Sequence, residues 1–219
     1  MELTLNENIW VVSDLHINHR KLCTDYEDHF ERTRKYKTVD EMNDDIVASW
    51  NSNVTDDDTV IFLGDFTLGT PHRMLVDTFK HYYDILKFKH MFMIRGNHDY
   101  ALFKHLYPHM EEKGRFSRIT LVHDYIMLEN NGKSYLFQHF NYDTELNPHD
   151  GTPGNPEILA RYMQDGRKPD YLVHGHTHEF KRTSIVKTEF GDMIENNVSW
   201  EAWYRPVRLD ELKEVSSDI

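Results

Sequence analysis

Short, largely apolar runs recur along the chain, and each is followed at once by glycine or polar residues. Runs of this kind occupy residues 9–13, 59–63, 90–94 and 171–173. Continuous rather than alternating apolar positions are typical of strands that are covered on both faces. The pattern therefore predicts several buried strands within one sheet system.

Between these runs the apolar residues follow the period of a helix. Thr38 begins the first predicted helix, because Thr38 and Glu41 have the spacing of a capping box, and its apolar stripe continues to Trp50. A second helix is predicted to begin at Thr70 and a third to occupy 155–166. The predicted buried face of the second helix is Met74, Leu75, Phe79 and Tyr82. Strands that alternate with helices indicate an α/β fold whose functional residues lie at the carboxyl edge of the sheet.

The later part of the chain has the pattern of hairpins. Apolar runs at 121–129 and 134–137 flank Asn130-Asn131-Gly132, which is a strong turn signal. A further hairpin is predicted from 183–187 and 193–198, with its turn near Gly191. These two hairpins add antiparallel pairs to the predicted sheets.

Metal-ligand residue types follow the predicted strands. The motifs are Asp14-Leu15-His16, Gly64-Asp65, Gly96-Asn97-His98-Asp99, Gln138-His139 and Gly175-His176-Thr177-His178. In an extended segment positions i and i+2 project to one side, so we expect His176 and His178 to face one place. Taken singly, each motif also fits a plain turn or an unrelated surface histidine, because Gly, Asn and Asp favour turns.

Together and in this order, the five motifs resemble those of the calcineurin-like metallophosphoesterase superfamily. The resemblance spans residues 9–178, and the segment 197–207 is similar to the closing strand of small bacterial and phage-type members. It implies an α/β fold of two packed mixed β-sheets flanked by helices, a four-layer αββα sandwich. The expected domain organisation is a single domain over residues 1–219.

The resemblance also implies a role for each motif. The implied ligands are Asp14, His16 and His178 for one ion, Asn97, His139 and His176 for the other, and Asp65 as the bridge. His98 would be the catalytic, non-ligand histidine beside the leaving group. Leu68 stands where the family's second acidic residue is expected, which weakens the analogy with the protein phosphatase and large-nuclease branches. Candidate substrate contacts are His19, Arg20 and Arg95.

The expected cofactors are two divalent metal ions. Mixed nitrogen and oxygen ligands favour Mn²⁺, with Fe or Zn²⁺ as alternatives, over Mg²⁺ or Ca²⁺. The implied function is hydrolysis of a small, nucleotide-type phosphodiester by a hydroxide that bridges the ions. The alternatives are a phosphomonoesterase with the same site and a metal-binding scaffold without catalysis.

The composition indicates which kinds of partner and which cellular compartment to expect. The 219 residues are 39% apolar and 28% charged, which is typical of an ordinary globular domain. A net charge of −12 disfavours long nucleic acid, because binding to phosphate backbones depends on clustered Lys and Arg. Cys23 is the single cysteine, and neither a signal-peptide pattern nor a membrane-spanning run is present. We therefore expect a cytoplasmic protein that acts on a small phosphate ester.

Overall fold

The computed structural model describes residues 2–3, 8–30, 33–110, 115–143, 168–188 and 191–212, which form two β-sheets with helices. The strands are β1 (Glu2–Leu3), β2 (Ile9–Val12), β3 (Thr59–Phe62), β4 (His90–Ile94), β5 (Ile119–Val122), β6 (Tyr125–Asn130), β7 (Lys133–Gln138), β8 (Tyr171–His174), β9 (Thr183–Thr188), β10 (Gly191–Asn197) and β11 (Val207–Arg208). The helices are α1 (Val39–Asn53), α2 (Leu75–Ile85), α3 (Tyr100–Met110) and α4 (Trp200–Trp203).

Both sheets are mixed, as expected. The five-stranded sheet has the order β11-β2-β3-β4-β5, with β2 to β5 parallel and β11 antiparallel to β2. The six-stranded sheet has the order β1-β6-β7-β8-β10-β9, and its central β7, β8 and β10 are parallel. The parallel strands bring the carboxyl ends of β2, β3 and β4 to one edge and those of β7 and β8 to another.

The five-stranded sheet is buried on both faces, which explains its continuous apolar runs. In β2, Ile9 and Val11 belong to the core between the two sheets, whereas Trp10 and Val12 belong to the core shared with α1, α2 and α3. The α/β fold with two packed mixed sheets is therefore confirmed. The predicted helix at 155–166 lies outside the described residues.

Helix α1 begins where the sequence predicts, whereas helix α2 does not. Thr38 caps α1, since its hydroxyl accepts the Glu41 N–H at 3.2 Å. The predicted start of α2 at Thr70 was wrong, because His72–Met74 form a 3-10 turn and the α-helix begins at Leu75. Met74, predicted to be buried, is 47% exposed. Helix α3 was not predicted. No helix in the described segments combines the length and apolar character needed to cross a membrane.

The first predicted hairpin has its turn in the expected place. Asn131 and Gly132 both have positive φ, 51° and 73°, which is the backbone that such a two-residue turn requires. The predicted strand 121–129 was wrong as one element, because it divides into β5 and β6, which lie in different sheets. The second predicted hairpin is confirmed as the antiparallel pair β9 and β10.

Candidate metal centre

Five of the candidate ligands follow strand ends with left-handed backbone. The φ angles are 59° at Asp14, 49° at His16, 60° at Asp65, 67° at His176 and 52° at His178. Positive φ is uncommon for residues other than glycine and is concentrated at functional sites, where the surrounding structure maintains it. These side chains are therefore directed by tight loops rather than by the pleat of an extended strand.

His176 and His178 line one cavity, but their backbone is left-handed rather than extended. His178 Nε2 lies 3.1 Å from His16 Nε2, whereas His176 Nδ1 lies 3.1 Å from Asn97 Oδ1. Both histidines line one cavity, but they approach different groups of ligand-type atoms. His178 is therefore close to His16, and His176 is close to Asn97.

The first group consists of Asp14, His16 and His178, and their ligand atoms all lie within 4.8 Å of one another. Asp14 Oδ1 is buried without a hydrogen-bond partner, 3.7 Å from His16 Nε2 and 3.6 Å from His178 Nε2. Its Oδ2 accepts the His176 N–H at 2.9 Å. A buried carboxylate oxygen without a partner is costly, and a cation held by these three residues would satisfy it.

The second group consists of Asn97, His139 and His176. Asn97 Oδ1 lies 2.7 Å from His139 Nε2 and 3.1 Å from His176 Nδ1. When His139 Nδ1 donates to the Leu63 carbonyl, 2.9 Å away, its Nε2 presents a lone pair to an amide oxygen. Burial lowers the pKa of His139, and burial beside His139 lowers that of His176 to about 4. These neutral imidazoles and the amide suit a shared cation.

Asp65 lies between the two groups. Its Oδ2 is 3.5 Å from His16 Nε2 and 3.5 Å from His139 Nε2, and its Oδ1 accepts the His98 N–H at 2.9 Å. Asp14, Asp65 and His139 also form a set of ligand atoms within 4.8 Å of one another. Burial, together with the Asp99 and Asp14 charges, raises the pKa of Asp65 well above its usual range. A nearby cation would favour its ionised form.

Asp99 fixes the two loops that carry Asp65 and Asn97. Its buried carboxylate accepts the backbone N–H groups of Asp65 at 2.6 Å, Phe66 at 3.0 Å and Gly96 at 2.9 Å. Sequence reasoning gave Asp99 no role, although it is the last residue of the Gly96-Asn97-His98-Asp99 motif. The structure assigns it to holding the loops after β3 and β4 in place.

A buried ion pair behind the first group was also missed. Arg34, 1% exposed, donates to Glu201 Oε1 at 2.7 Å and to the Asp14 and Leu15 carbonyls at 2.5 and 2.7 Å. Glu201 Oε1 accepts from His178 Nδ1 at 2.8 Å. Burial acts to raise the pKa of Glu201, but Arg34 and His178 bring it down to about 2. An ionised Glu201 keeps the proton on His178 Nδ1 and leaves Nε2 free as a ligand.

Glycine at position 175 is required by a close approach. A Cβ at Gly175 would lie 2.1 Å from Ser13 Oγ and 2.2 Å from Asp14 Oδ2. At this position the loop after β8 passes directly over the loop after β2. A side chain at this position would require Ser13 or the Asp14 carboxylate to shift.

A cavity of about 680 Å³ opens onto both groups. Its described lining is His16, His19, Leu22, Phe30, Asp65, Leu68, Asn97, His98, His176, Thr177 and His178. The predicted substrate contact His19 belongs to this lining, and its ring centroid lies 5.4 Å from that of His16. Arg20 and Arg95 do not belong to it, and the Arg20 guanidinium instead lies 5.3 Å from the centre of the Tyr26 ring.

The family model described as calcineurin-like phosphoesterase matches residues 7–180, which include every candidate ligand. The chain belongs to this family. The resemblance of the five motifs is therefore confirmed. This calcineurin-like phosphoesterase is a metal-binding hydrolase, and the two ligand groups supply residues of the types that such an enzyme requires.

The phosphoesterase is similar over nearly its full length to proteins of phages and archaea. It is 27% identical to the Gene 66 protein of Mycobacterium phage D29, covering 97% of each chain. It is 28% identical to an uncharacterized protein of Methanocaldococcus jannaschii, covering 92% of this chain and 87% of the other. A solved structure, a protein of unknown function from Aquifex aeolicus, superposes with a TM-score of 0.60 at 18% identity, covering 94% of this chain and 98% of the other. This last similarity supports the fold.

Proposed function

We propose that this phosphoesterase hydrolyses a small phosphodiester at a centre of two divalent ions. The proposed ligands are Asp14, His16, Asp65, Asn97, His139, His176 and His178. The observation that carries the proposal is the position of Asp65, whose Oδ2 lies 3.5 Å from a histidine nitrogen of each group. A carboxylate shared in this way suits two ions about 3.5–4 Å apart.

The charge of the ligand set supports chemistry on an anion. Asp14 and Asp65 are its two carboxylates, and the remaining ligands are neutral imidazoles and an amide. When bound, two divalent ions would supply the nucleophile and neutralise the phosphoryl oxygens. Nitrogen and oxygen ligands together favour Mn²⁺, with Fe or Zn²⁺ as alternatives. The ligand side chains leave such a centre positive, as binding of a phosphate ester requires.

His98 is proposed as the proton donor to the leaving oxygen. Its backbone N–H holds Asp65 Oδ1 at 2.9 Å, while its side chain lines the cavity with its ring centroid 5.6 Å from that of His16. It therefore lies beside the first ligand group and the shared Asp65, and the proposed ligand set does not include it. A histidine in this position can protonate the leaving alkoxide during in-line attack.

A diester is favoured over a monoester by the charge of the cavity wall. The described lining contains neither lysine nor arginine, so it adds no positive side chain beyond the ions. A monoanionic diester needs less compensating charge than a dianionic monoester. The net charge of −12 also disfavours long nucleic acid as the substrate.

The test compares two esters that share one leaving group. Protein depleted of metal and reloaded with Mn²⁺, Fe²⁺ or Zn²⁺ is assayed with bis-p-nitrophenyl phosphate and p-nitrophenyl phosphate. We expect turnover that depends on the ions and a higher kcat/KM for the diester. A higher kcat/KM for the monoester contradicts the diester assignment and favours a phosphatase. Absence of turnover with both ions bound contradicts the enzymatic function and favours a metal-binding scaffold.

A further inference from the structure

The lining of the cavity contains two chemically different kinds of side chain. The proposed ligands contribute nitrogen and oxygen atoms. Leu22, Phe30 and Leu68 contribute carbon atoms, and we call these three residues the apolar wall. Leu68 stands where the family pattern has a second acidic residue, so this chain presents carbon where a carboxylate is expected. Only part of a substrate needs to contact the metal centre, and the apolar wall is available to the rest.

The size of the cavity indicates that a whole organic group can enter it. At about 680 Å³ it falls within the range of sites that enclose a small molecule, about 300–1,000 Å³. A phosphoryl group alone occupies a small part of that volume. The ester therefore has room for a substituent that contacts the apolar wall.

Phe30 makes this wall suited to a ring. Its side chain is 45% exposed, yet its backbone N–H is fixed by a 3.0 Å hydrogen bond to the Lys21 carbonyl. Its ring lies 5.3 Å from that of His19 at an interplanar angle of 70°, an edge-to-face pair. Leu22 is only 4% exposed, so the anchored, half-exposed ring of Phe30 offers more apolar surface for a ligand to remove from water.

We propose that the apolar wall is the subsite for an aromatic ring of the ester substrate, with Phe30 as its main contact. The substrate class is then a phosphate ester that carries an aromatic or heteroaromatic ring, and Phe30 is a specificity-determining residue. This inference rests on the proposed function, since the metal centre must hold the phosphoryl group. A phosphate ester with a small aliphatic substituent would use the metal centre without the wall.

The test uses two phosphonates, which carry a P–C bond that hydrolysis does not cleave. Phenylphosphonate and methylphosphonate are titrated into Mn²⁺-loaded protein by isothermal calorimetry, so that the readout is a Kd and not a rate. We expect phenylphosphonate to bind about tenfold more tightly, as partial burial of one ring allows. In Phe30→Ala the two Kd values should come within about twofold, while that of methylphosphonate is unchanged.

Phe180→Ala is the matched control, because Phe180 is 64% exposed and does not belong to the described lining of the cavity. It should keep the tenfold difference. Equal binding of the two phosphonates to the unmodified protein, or a difference that survives Phe30→Ala, would overturn the subsite and leave the proposed function standing. Failure of both phosphonates to bind to the metal-loaded protein would also overturn the subsite, whereas the proposed function is judged separately by turnover of the two nitrophenyl esters.

Discussion

The two halves of the proposed metal centre differ in what lies behind their histidines. In the half formed by Asp14, His16 and His178, the ring of His178 is held by the buried carboxylate of Glu201, 2.8 Å away. In the half formed by Asn97, His139 and His176, the ring of His139 is held by a neutral carbonyl, that of Leu63, at 2.9 Å. A carboxylate behind a histidine raises its basicity as a ligand more than a carbonyl does.

This difference predicts unequal affinities for the two ions. The first half has the carboxylate of Asp14 and a histidine supported by Glu201, whereas the second half has an amide in place of a carboxylate. Asp65 serves both halves and therefore does not change which ion is expected to bind more tightly. We expect the first ion to bind more tightly and the second to exchange more readily.

His98 belongs to neither half, so its loss should separate rate from metal binding. His98→Ala should lower kcat by about 10²–10⁴-fold, because the proton donor is lost while all the proposed ligands remain. Metal analysis should still find two ions bound. The control is His81→Ala on the exposed face of α2, which should leave kcat unchanged. Loss of an ion from His98→Ala would show that His98 is a ligand after all.

Glu201→Gln tests the support behind the first half. The amide keeps the volume of the side chain but removes the charge that fixes the His178 tautomer. We expect the affinity for one ion to fall by about 10–100-fold, with the second ion unaffected, in a metal-competition titration. The free energy of unfolding should also fall by about 3–5 kcal/mol, because Arg34 is left buried without its counter-ion.

A surface ion pair provides the matched control for this change. Glu211 pairs with Arg205 at 2.6 Å, but both side chains are partly exposed. Glu211→Gln should cost about 0–1 kcal/mol in unfolding free energy and leave both metal affinities unchanged. An equal loss of affinity for both ions in Glu201→Gln would contradict the division into two halves.

Strand positions and ligand identities could be predicted from sequence because both are local. An apolar run that ends in a glycine and an Asp or His shows where a buried strand stops and which side chains the next loop carries. The directions in which these side chains point could not be predicted in this way. The i and i+2 argument assumed extended backbone, whereas His176 and His178 have positive φ and reach different groups.

The Arg34–Glu201 pair could not be predicted, because its partners are 167 positions apart in the chain. Arg34 lies in a polar stretch with the composition of a surface loop, and no local pattern shows that it is buried. Glu201 had one weak signal, the resemblance of the segment 197–207 to a closing strand. Arg34 joins Glu201 of α4 to the Asp14 and Leu15 carbonyls of the loop after β2, and this gives the pair its role.

The substitution Asn97→Asp would act against the expected difference in ion affinity between the two halves. A carboxylate in place of the amide gives the second half its own negative charge, 2.7 Å from His139 Nε2 in the present geometry. We expect the second ion to bind about tenfold more tightly and kcat to fall by a similar factor, because the added charge reduces the attraction for an anionic ester. Both quantities come from one titration series, in which Mn²⁺ affinity and turnover of the diester are measured together. Tighter binding without slower turnover would mean that the net charge of the centre does not limit catalysis.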